Sequence, residues 1–331
     1  MQKILPCGAI NILNSLKLID YISFGTETVD FDSLKRCANV LYEEPKEYKT
    51  FLAAELNKGL SFPKAREIAL VNYLKDEDLK IILSQSNNIL GIEYLKALKK
   101  VNSKIKPISV QRYGNKYNDT DVTGNIASAT AIRNIIKNNG FDILRRVLPE
   151  SSYSVIMENI KSGHLLSDLS AFEKQIIYNL RKMSTTQITE LPDVSEGLEF
   201  SIKKAANSCN TIQELLDLIV TKRYTITRIQ RILLYSLLGI TKKDMEISKK
   251  TQPYIRILGF NEHGKYLLSE ISKANPKLKI VTSVRKFMDT TLNKNLKNMM
   301  EKDIFATDVF TLGYECNSCS NLDYTHKLVI K

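Results

Sequence analysis

No stretch of 18 or more apolar residues occurs in this 331-residue chain, which excludes a hydrophobic helix long enough to cross a bilayer, so no membrane partner is expected. The first eight residues carry a single lysine and then a Pro6–Cys7–Gly8 break, a poor secretory signal. Cysteine is sparse and odd in number (Cys7, Cys37, Cys209, Cys316 and Cys319), and a reduced, cytoplasmic protein is the simplest reading. Histidine is rarer still. His164, His263 and His326 all lie after residue 150, and no catalytic triad can be assembled from them. Cys316 and Cys319 form a lone C-x-x-C with His326 nearby. Zinc requires two further ligands at suitable spacing, so two free thiols are the expected state and no metal site is assigned. Neither an internal repeat nor a low-complexity tract is present.

What the chain does have is positive charge. There are 48 Lys and Arg against 36 Asp and Glu, a formal net charge of +12. A surplus of this size favours a polyanionic partner, nucleic acid ahead of anionic lipid. Hydrophobic residues at 43% and charged residues at 25% are the balance of a globular protein, and the length suffices for two domains.

The first part alternates between helical and extended texture. Helices are expected over 9–18, 32–41, 45–56, from 61 onward with Pro63 near the first turn, over 88–100 and over 126–137. Between them, 19–25 (IDYISFG) and 104–112 are short, apolar and β-branched, and read as strands. Such alternation predicts a parallel sheet with crossover helices, in which ligands bind beyond the carboxyl ends of the strands. After about residue 147 the texture turns mostly helical: 153–161, 170–183, 197–209, 211–222, 227–238, 264–274 and a lysine-rich 289–300. Short strands are expected near 253–260 and 279–284, and 184–196 reads as a polar connection. Thr211, three residues before Glu214, has the pattern of a capping box. The expected domains are therefore 1–147 and 148–331.

Several segments carry the residue types of a nucleotide site. In 125–133 (NIASATAIR), small residues open a helix, and Ser128, Thr130 and Arg133 fall within about one and a half turns. A helix start favours anions, and an arginine fork suits phosphate; the alternative is a helix cap by Ser128 with Arg133 merely exposed. Gly25 closes the first strand, where a missing side chain lets a ligand lie against the backbone. Asn88 can donate and accept toward a base or ribose, and Arg112 closes the second strand. The alternatives are a tight turn at Gly25, an N-cap at Asn87 and an ordinary strand-end arginine at Arg112. In 222–231 (KRYTITRIQR), Lys222, Arg223, Arg228 and Arg231 surround Tyr224. Cations position phosphates and an aromatic ring stacks on a base, so this segment is expected to contact RNA; a solvated helix face is the alternative.

Taken together, these words resemble the tRNA(Met) cytidine acetate ligases, a branch of the nucleotidyltransferase superfamily. The matching stretches are 19–27 (IDYISFGTE), 44–49 (EPKEYK), 59–65 (GLSFPKA), 87–98 (NNILGIEYLKAL), 126–133 (IASATAIR), 222–239 (KRYTITRIQRILLYSLLG) and 254–264 (YIRILGFNEHG). The resemblance spans nearly the whole chain. It implies a Rossmann-like nucleotidyltransferase domain followed by a mostly helical RNA-binding domain. It also implies that ATP, with Mg²⁺, activates acetate to acetyl-adenylate and that the acetyl group passes to N4 of the wobble cytidine of elongator tRNA(Met). Gly25, Asn88 and Arg112 then look like ATP contacts. Ser128, Thr130 and Arg133 look like the superfamily's I-S-S-T-x-x-R element, with Ala129 in place of its second serine.

The chain departs from the family pattern in one large respect. The family opens with a strand and an H-x-G-H loop that activates ATP, and no histidine here precedes His164. Some ninety residues of family sequence are expected ahead of Met1, judged from usual domain size. A misassigned start codon, a gene fragment and a second polypeptide completing the site would each account for this. The catalytic residues stay unassigned, and this polypeptide alone is expected to have little or no ligase activity. Smaller departures are Ser86, where proline is usual, and Asn118, where histidine often follows the tyrosine. Two other functions stay open: a non-catalytic tRNA-binding remnant, and an adenylyltransferase acting on a small-molecule acid.

Overall fold

The computed structural model describes residues 4–112, 127–164, 168–195, 197–221, 224–316 and 318–331. The chain divides into two compact units, Met1–Glu158 and Asn159–Lys331. The fold is mixed α/β, a Rossmann-like part followed by a mostly helical part, as the alternation and its loss predict.

In the first unit the order is α1 (Ile4–Leu16), β1 (Tyr21–Thr26), α2 (Phe31–Glu43), α3 (Lys46–Asn57), α4 (Phe62–Leu74), α5 (Leu79–Ser84), α6 (Ser86–Lys100), β2 (Lys106–Gln111), α7 (Ala129–Lys137), α8 (Phe141–Val147) and α9 (Glu150–Lys161). The boundary between the units falls inside α9. Strands β1 and β2 pair in parallel, with Ser23 opposite Ile108 and Gly25 opposite Val110. The helices between them supply the crossover that a parallel pair needs.

Residue spacing explains the packing. In α2, Leu34, Cys37, Ala38 and Leu41 recur at i, i+3, i+4 and i+7 and are all buried, giving one apolar stripe. They meet Leu70, Leu79, Ile92 and Leu95 in one core. The far end of α6 contributes Ala97 and Leu98 to a second cluster with Ile10 and Ile105. Helix α6 thus joins both cores, and Gly91 lets it approach β1: a Cβ there would lie 2.9 Å from the Phe24 ring. Phe24 in turn stacks on Tyr94 at 5.5 Å. Burial within Cys37's core pushes its thiol up to about 12.

Along β1 and β2 the side chains alternate. Ile22 and Phe24 turn inward, while Tyr21, Ser23 and Gly25 on β1 and Ile108 and Val110 on β2 face outward and are exposed.

The second unit begins with a helical core. After a short 3₁₀ turn (Leu169–Phe172) come α10 (Glu173–Lys182), α11 (Thr185–Thr189), α12 (Leu198–Ser208), α13 (Ile212–Ile219), α14 (Ile226–Leu238) and α15 (Lys242–Lys250). Ile176, Leu180, Ile202, Leu215, Ile229 and Leu233 share one fully buried cluster. The remaining elements are β3 (Ile255–Arg256), β4 (Gly259–Phe260), α16 (Glu262–Ala274), β5 (Ile280–Val281), α17 (Val284–Thr290), α18 (Lys294–Thr311), α19 (Leu322–Thr325) and β6 (Val329–Ile330). They form two short parallel pairs, β3 with β5 and β4 with β6, over a core of Val281, Phe287, Leu296, Met300 and Ile304.

Three local expectations are corrected. The connection 184–196 is not simply polar: Ser184 closes a capping box on α11 with Gln187, and Ile188, Leu191 and Val194 are buried in the helical core. Three apolar side chains spaced at three residues override the polar composition around them. The lysine-rich helix at 289–300 is two helices, because Asn293 Oδ1 accepts from the N–H groups of Asn295 and Leu296 and starts α18 afresh. At α13, Thr211 Oγ1 does accept from the Glu214 N–H, but the Glu214 carboxylate reaches the Asn210 N–H one residue further out.

Candidate functional site

Three of the expected ATP residues converge where β1 and β2 end. Gly25 is the penultimate residue of β1, and Arg112 follows β2 directly. The Arg112 N–H donates to the Thr26 carbonyl at 2.9 Å, extending the ladder by one step. That step lays the arginine stem across the glycine: a Cβ at Gly25 would stand 3.1 Å from Arg112 Cγ and 3.4 Å from Cδ. The φ of Gly25 lies outside the left-handed region, so the glycine serves this close approach rather than a tight turn. Arg112 is exposed, and its guanidinium offers a planar fork of donors above the carboxyl end of a parallel sheet.

Asn88 meets the same end from beneath. It is fully buried. Its Oδ1 accepts from the Glu27 N–H at 2.8 Å and the Thr28 N–H at 3.3 Å, and its Nδ2 donates to the Ile82 carbonyl at 3.1 Å and to Gln85 Oε1 at 2.7 Å. Two lone pairs and two N–H groups are the whole capacity of a side-chain amide. A contact from this amide to a nucleoside, expected from the resemblance, therefore requires it to release one of these partners.

Glu27 completes the joint. Its carboxylate accepts from Asn87 N–H, Asn87 Nδ2 and Asn88 N–H at 3.4, 2.5 and 3.0 Å. It thereby neutralises the start of α6, where unpaired N–H groups attract an anion. The expected N-cap at Asn87 is replaced by a carboxylate 60 residues upstream. Thr26, also fully buried, donates to the Thr28 carbonyl at 2.8 Å. Asp30, held below the usual carboxylate range by the Ser33 hydroxyl and N–H, caps α2. The loop from Thr26 to Asp30 is thus fixed at both ends, directly after Gly25 on β1.

The other three expected residues share the start of α7. Ser128 is its N-cap, with Oγ accepting from the Ala131 N–H at 3.0 Å. The capping alternative is therefore realised in its side chain. Thr130 is half-buried, and Arg133 is exposed one turn in. The segment 113–126, which joins Arg112 to this helix and includes Asn118, lies outside the described residues. Among the described residues no group of three His, Cys, Asp or Glu side chains could hold a metal ion, and Cys316 and Cys319 are free thiols.

The segment expected to contact RNA is engaged internally where it is described. Arg228 donates from Nε and Nη2 to the Asp193 carbonyl at 3.0 and 2.7 Å, and from Nη2 to Ser195 Oγ at 2.9 Å. Arg231 forms a forked ion pair with the Asp193 carboxylate at 2.9 and 2.8 Å. Tyr224 lies 5.2 Å from the Arg228 guanidinium, ring to cation. Asp193 itself has φ +65°, a conformation that non-glycine residues rarely adopt, and the two arginines secure that turn. Lys222 and Arg223 lie outside the described residues. The sequence missed Asp193, because nothing in a polar connection marks which acid a helix 35 residues later will grasp.

Comparison with known proteins agrees with this architecture. The family model described as HIGH Nucleotidyl Transferase matches residues 4–324. A tRNA(Met) cytidine acetate ligase from Caldanaerobacter subterraneus is 42% identical over 97% of this chain and 79% of its own length; one from a Thermoanaerobacter species is 40% identical over the same shares. The crystal structure of apo TmcAL from Thermotoga maritima superposes with a TM-score of 0.92 at 32% identity, covering 99% of this chain and 81% of that one. The same protein bound with alpha-thio ATP gives 0.88 at 31% identity, covering 99% and 80%. The chain belongs to the HIGH nucleotidyl transferase family, in its tRNA(Met) cytidine acetate ligase branch.

Proposed function

We propose that this chain takes part in ATP-dependent acetylation of N4 of the wobble cytidine of elongator tRNA(Met). A carboxylate oxygen of acetate attacks the α-phosphate of ATP, giving acetyl-adenylate and pyrophosphate. The cytidine N4 then attacks the acetyl carbonyl, releasing AMP and a proton. The observation that carries this reading is the Arg112 stem lying over Gly25 at the carboxyl end of β1 and β2, a bare backbone beside an exposed guanidinium. Relatives at about 40% identity that are named as this ligase, and a relative solved with an ATP analogue, support it.

In this reading Gly25 lies against the nucleoside and Arg112 and Arg133 hold phosphates. Ser128 and Thr130 shape the anion-favouring start of α7, and Asn88 positions the loop that follows Gly25. Charge developing on the α-phosphate and on pyrophosphate needs fixed donors, and the arginines supply part of them. With no metal cage among the described residues, the Mg²⁺ that accompanies ATP would be held by phosphate oxygens and water; no step is assigned to it. tRNA is gripped by the basic surface of the second unit. The Lys222–Arg231 segment is assigned to this contact from its sequence, and an RNA contact by Arg228 or Arg231 requires each to exchange its Asp193 partners.

The test is pyrophosphate release from ATP and acetate, with N4-acetylcytidine in tRNA(Met) measured by mass spectrometry. The 331 residues contain no H-x-G-H sequence, so the polypeptide alone is expected to turn over slowly. Arg112→Ala should weaken ATP binding by about 10-fold to 100-fold, the worth of a charged hydrogen bond. Tight tRNA binding without pyrophosphate release under any supplementation would favour the non-catalytic tRNA-binding reading. Release with another acid and no RNA binding would favour the small-molecule adenylyltransferase.

A further inference from the structure

A cavity of about 530 Å³ opens in the second unit, in the part of the chain where the net charge is concentrated. Residues 241–300 hold 13 lysines and arginines against 5 acidic residues, a surplus of 8 out of the chain's 12. The arginines of 222–231 that are described are bound to Asp193, and this later stretch carries the larger basic surplus in sequence. The cavity lies beyond the carboxyl ends of the parallel strands β3 and β5, bounded by Ile257 just past β3 and Val281 and Ser283 at and after β5. On its other side run His326, Lys327 and Leu328, between α19 and β6.

Its walls are of two kinds. Ile257, Val281 and Leu328 make an apolar interior, and Leu258, 71% exposed, forms an uncovered apolar lip. Ser283, His326 and Lys327 are exposed polar groups at the rim. One further cation lines it, Arg256, but that guanidinium is paired with Asp323, which also accepts from Thr307 Oγ1 at 2.8 Å. The pair stiffens the floor and cancels its charge, leaving Lys327 as the cation facing solvent, with His326 beside it as a hydrogen-bonding group. A volume within the usual 300–1,000 Å³ range of ligand sites, apolar walls and a cationic rim together suit a flat heterocycle carrying a phosphate. Paired bases in a duplex cannot enter such a hollow, whereas a splayed base can.

We propose that this cavity seats one unpaired nucleotide of the RNA substrate, its base between Ile257, Leu258 and Leu328 and its phosphate at Lys327 and His326. The proposal rests on the reading that the chain acts on tRNA, and it adds a second point of contact remote in sequence from the 222–231 segment. The nucleotide is held as part of a strand, so the charge around the cavity draws in the flanking phosphates.

The test uses the full chain with labelled isoleucine, leucine and valine methyl groups. A single-stranded hexaribonucleotide is expected to shift the methyl signals of Ile257, Leu258, Val281 and Leu328, and a blunt RNA duplex with the same number of phosphates is not. Leu258→Ser, a charge-neutral change at an exposed position, should weaken single-strand binding about 10-fold and leave duplex binding unchanged. Equal weakening of both ligands, or methyl signals that do not move, would overturn the proposal. Shifts with cytidine 5′-monophosphate but not with the hexanucleotide would also overturn it, in favour of a free-nucleotide pocket. If the unaltered chain binds tRNA while these cavity readouts fail, only the cavity assignment falls; if it binds no RNA of any kind, the tRNA reading falls with it.

Discussion

Replacing Asn88 by alanine separates a positioning role from a nucleotide contact. The amide makes four hydrogen bonds inside the protein. Removing it leaves the N–H groups of Glu27 and Thr28 without this acceptor and Gln85 Oε1 without this donor, and it leaves the Ile82 carbonyl with only the longer bond from the Gln85 N–H at 3.4 Å. The bond to Ile82 is fully buried; its loss costs about 2 kcal/mol, and the three half-buried ones about 0.5 kcal/mol each, so the total is about 3–4 kcal/mol. That is a large part of the ~5–15 kcal/mol that stabilises a typical protein. With a urea m-value of about 2 kcal/mol/M, the midpoint of the first unit should fall by about 1.5–2 M. Far-UV circular dichroism during urea titration reads the midpoint, and amide hydrogen exchange at Glu27 and Thr28 reads the local effect, which should rise in Asn88→Ala without ATP. Asn88→Asp keeps the acceptor, loses both donors and places a second carboxylate beside Glu27, so it should be destabilised to a similar degree. A midpoint unchanged within error, with exchange at 27 and 28 also unchanged, would refute the reasoning and leave Asn88 with a ligand role alone.

The remaining predictions follow from neighbouring contacts. Gly25→Ala has a permitted backbone but places a methyl 3.1 Å from Arg112 Cγ. It should fold with under ~1 kcal/mol lost while ATP affinity, read by calorimetry, falls several-fold as the arginine is displaced. Arg231→Ala should destabilise the second unit by about 1–3 kcal/mol, because it removes the fork on the Asp193 carboxylate; Asp193→Ala combined with it should add little in a double-mutant cycle. Partial burial opposes the charge of Asp323, yet Arg256 and Thr307 donating to it hold its carboxyl below the usual value of 3.8. A carboxylate with a depressed native pKa stabilises the fold above its unfolded pKa, and that stabilisation is lost as pH falls through the native value. The stability difference between the wild type and Asp323→Asn should therefore be full near neutrality and shrink below about pH 4; a difference independent of pH between 7 and 2 would contradict this.

How much of this was legible beforehand differs from element to element. The stripe Leu34, Cys37, Ala38 and Leu41 announced α2, and the β-branched run around Ile22 announced β1, because 3.6-residue and two-residue periodicities follow from local geometry. Ends were less visible. α18 begins anew at Asn293 because a side-chain cap competes with helix continuation, and α11 hides in a polar stretch because three apolar residues at the right spacing suffice once a core is there to receive them. Gly25 and Arg112 close their strands in the sequence pattern, and the parallel register lays the arginine stem over the glycine.

The sequence by itself determined the class of the protein: the alternation that makes a parallel α/β unit, the helical unit after it, the basic surplus, and the family whose words it shares. Tertiary structure alone decided which polar groups are already spoken for. Asn88 and Glu27 lie 61 residues apart, and Arg228 and Asp193 lie 35 apart. Each pairing satisfies groups that burial would otherwise leave unpaired at a cost of ~1–3 kcal/mol. A composition or a motif records which donors and acceptors a chain owns; only the fold, by bringing distant segments within 3 Å, fixes which of them are spent on the protein and which are left to face a ligand.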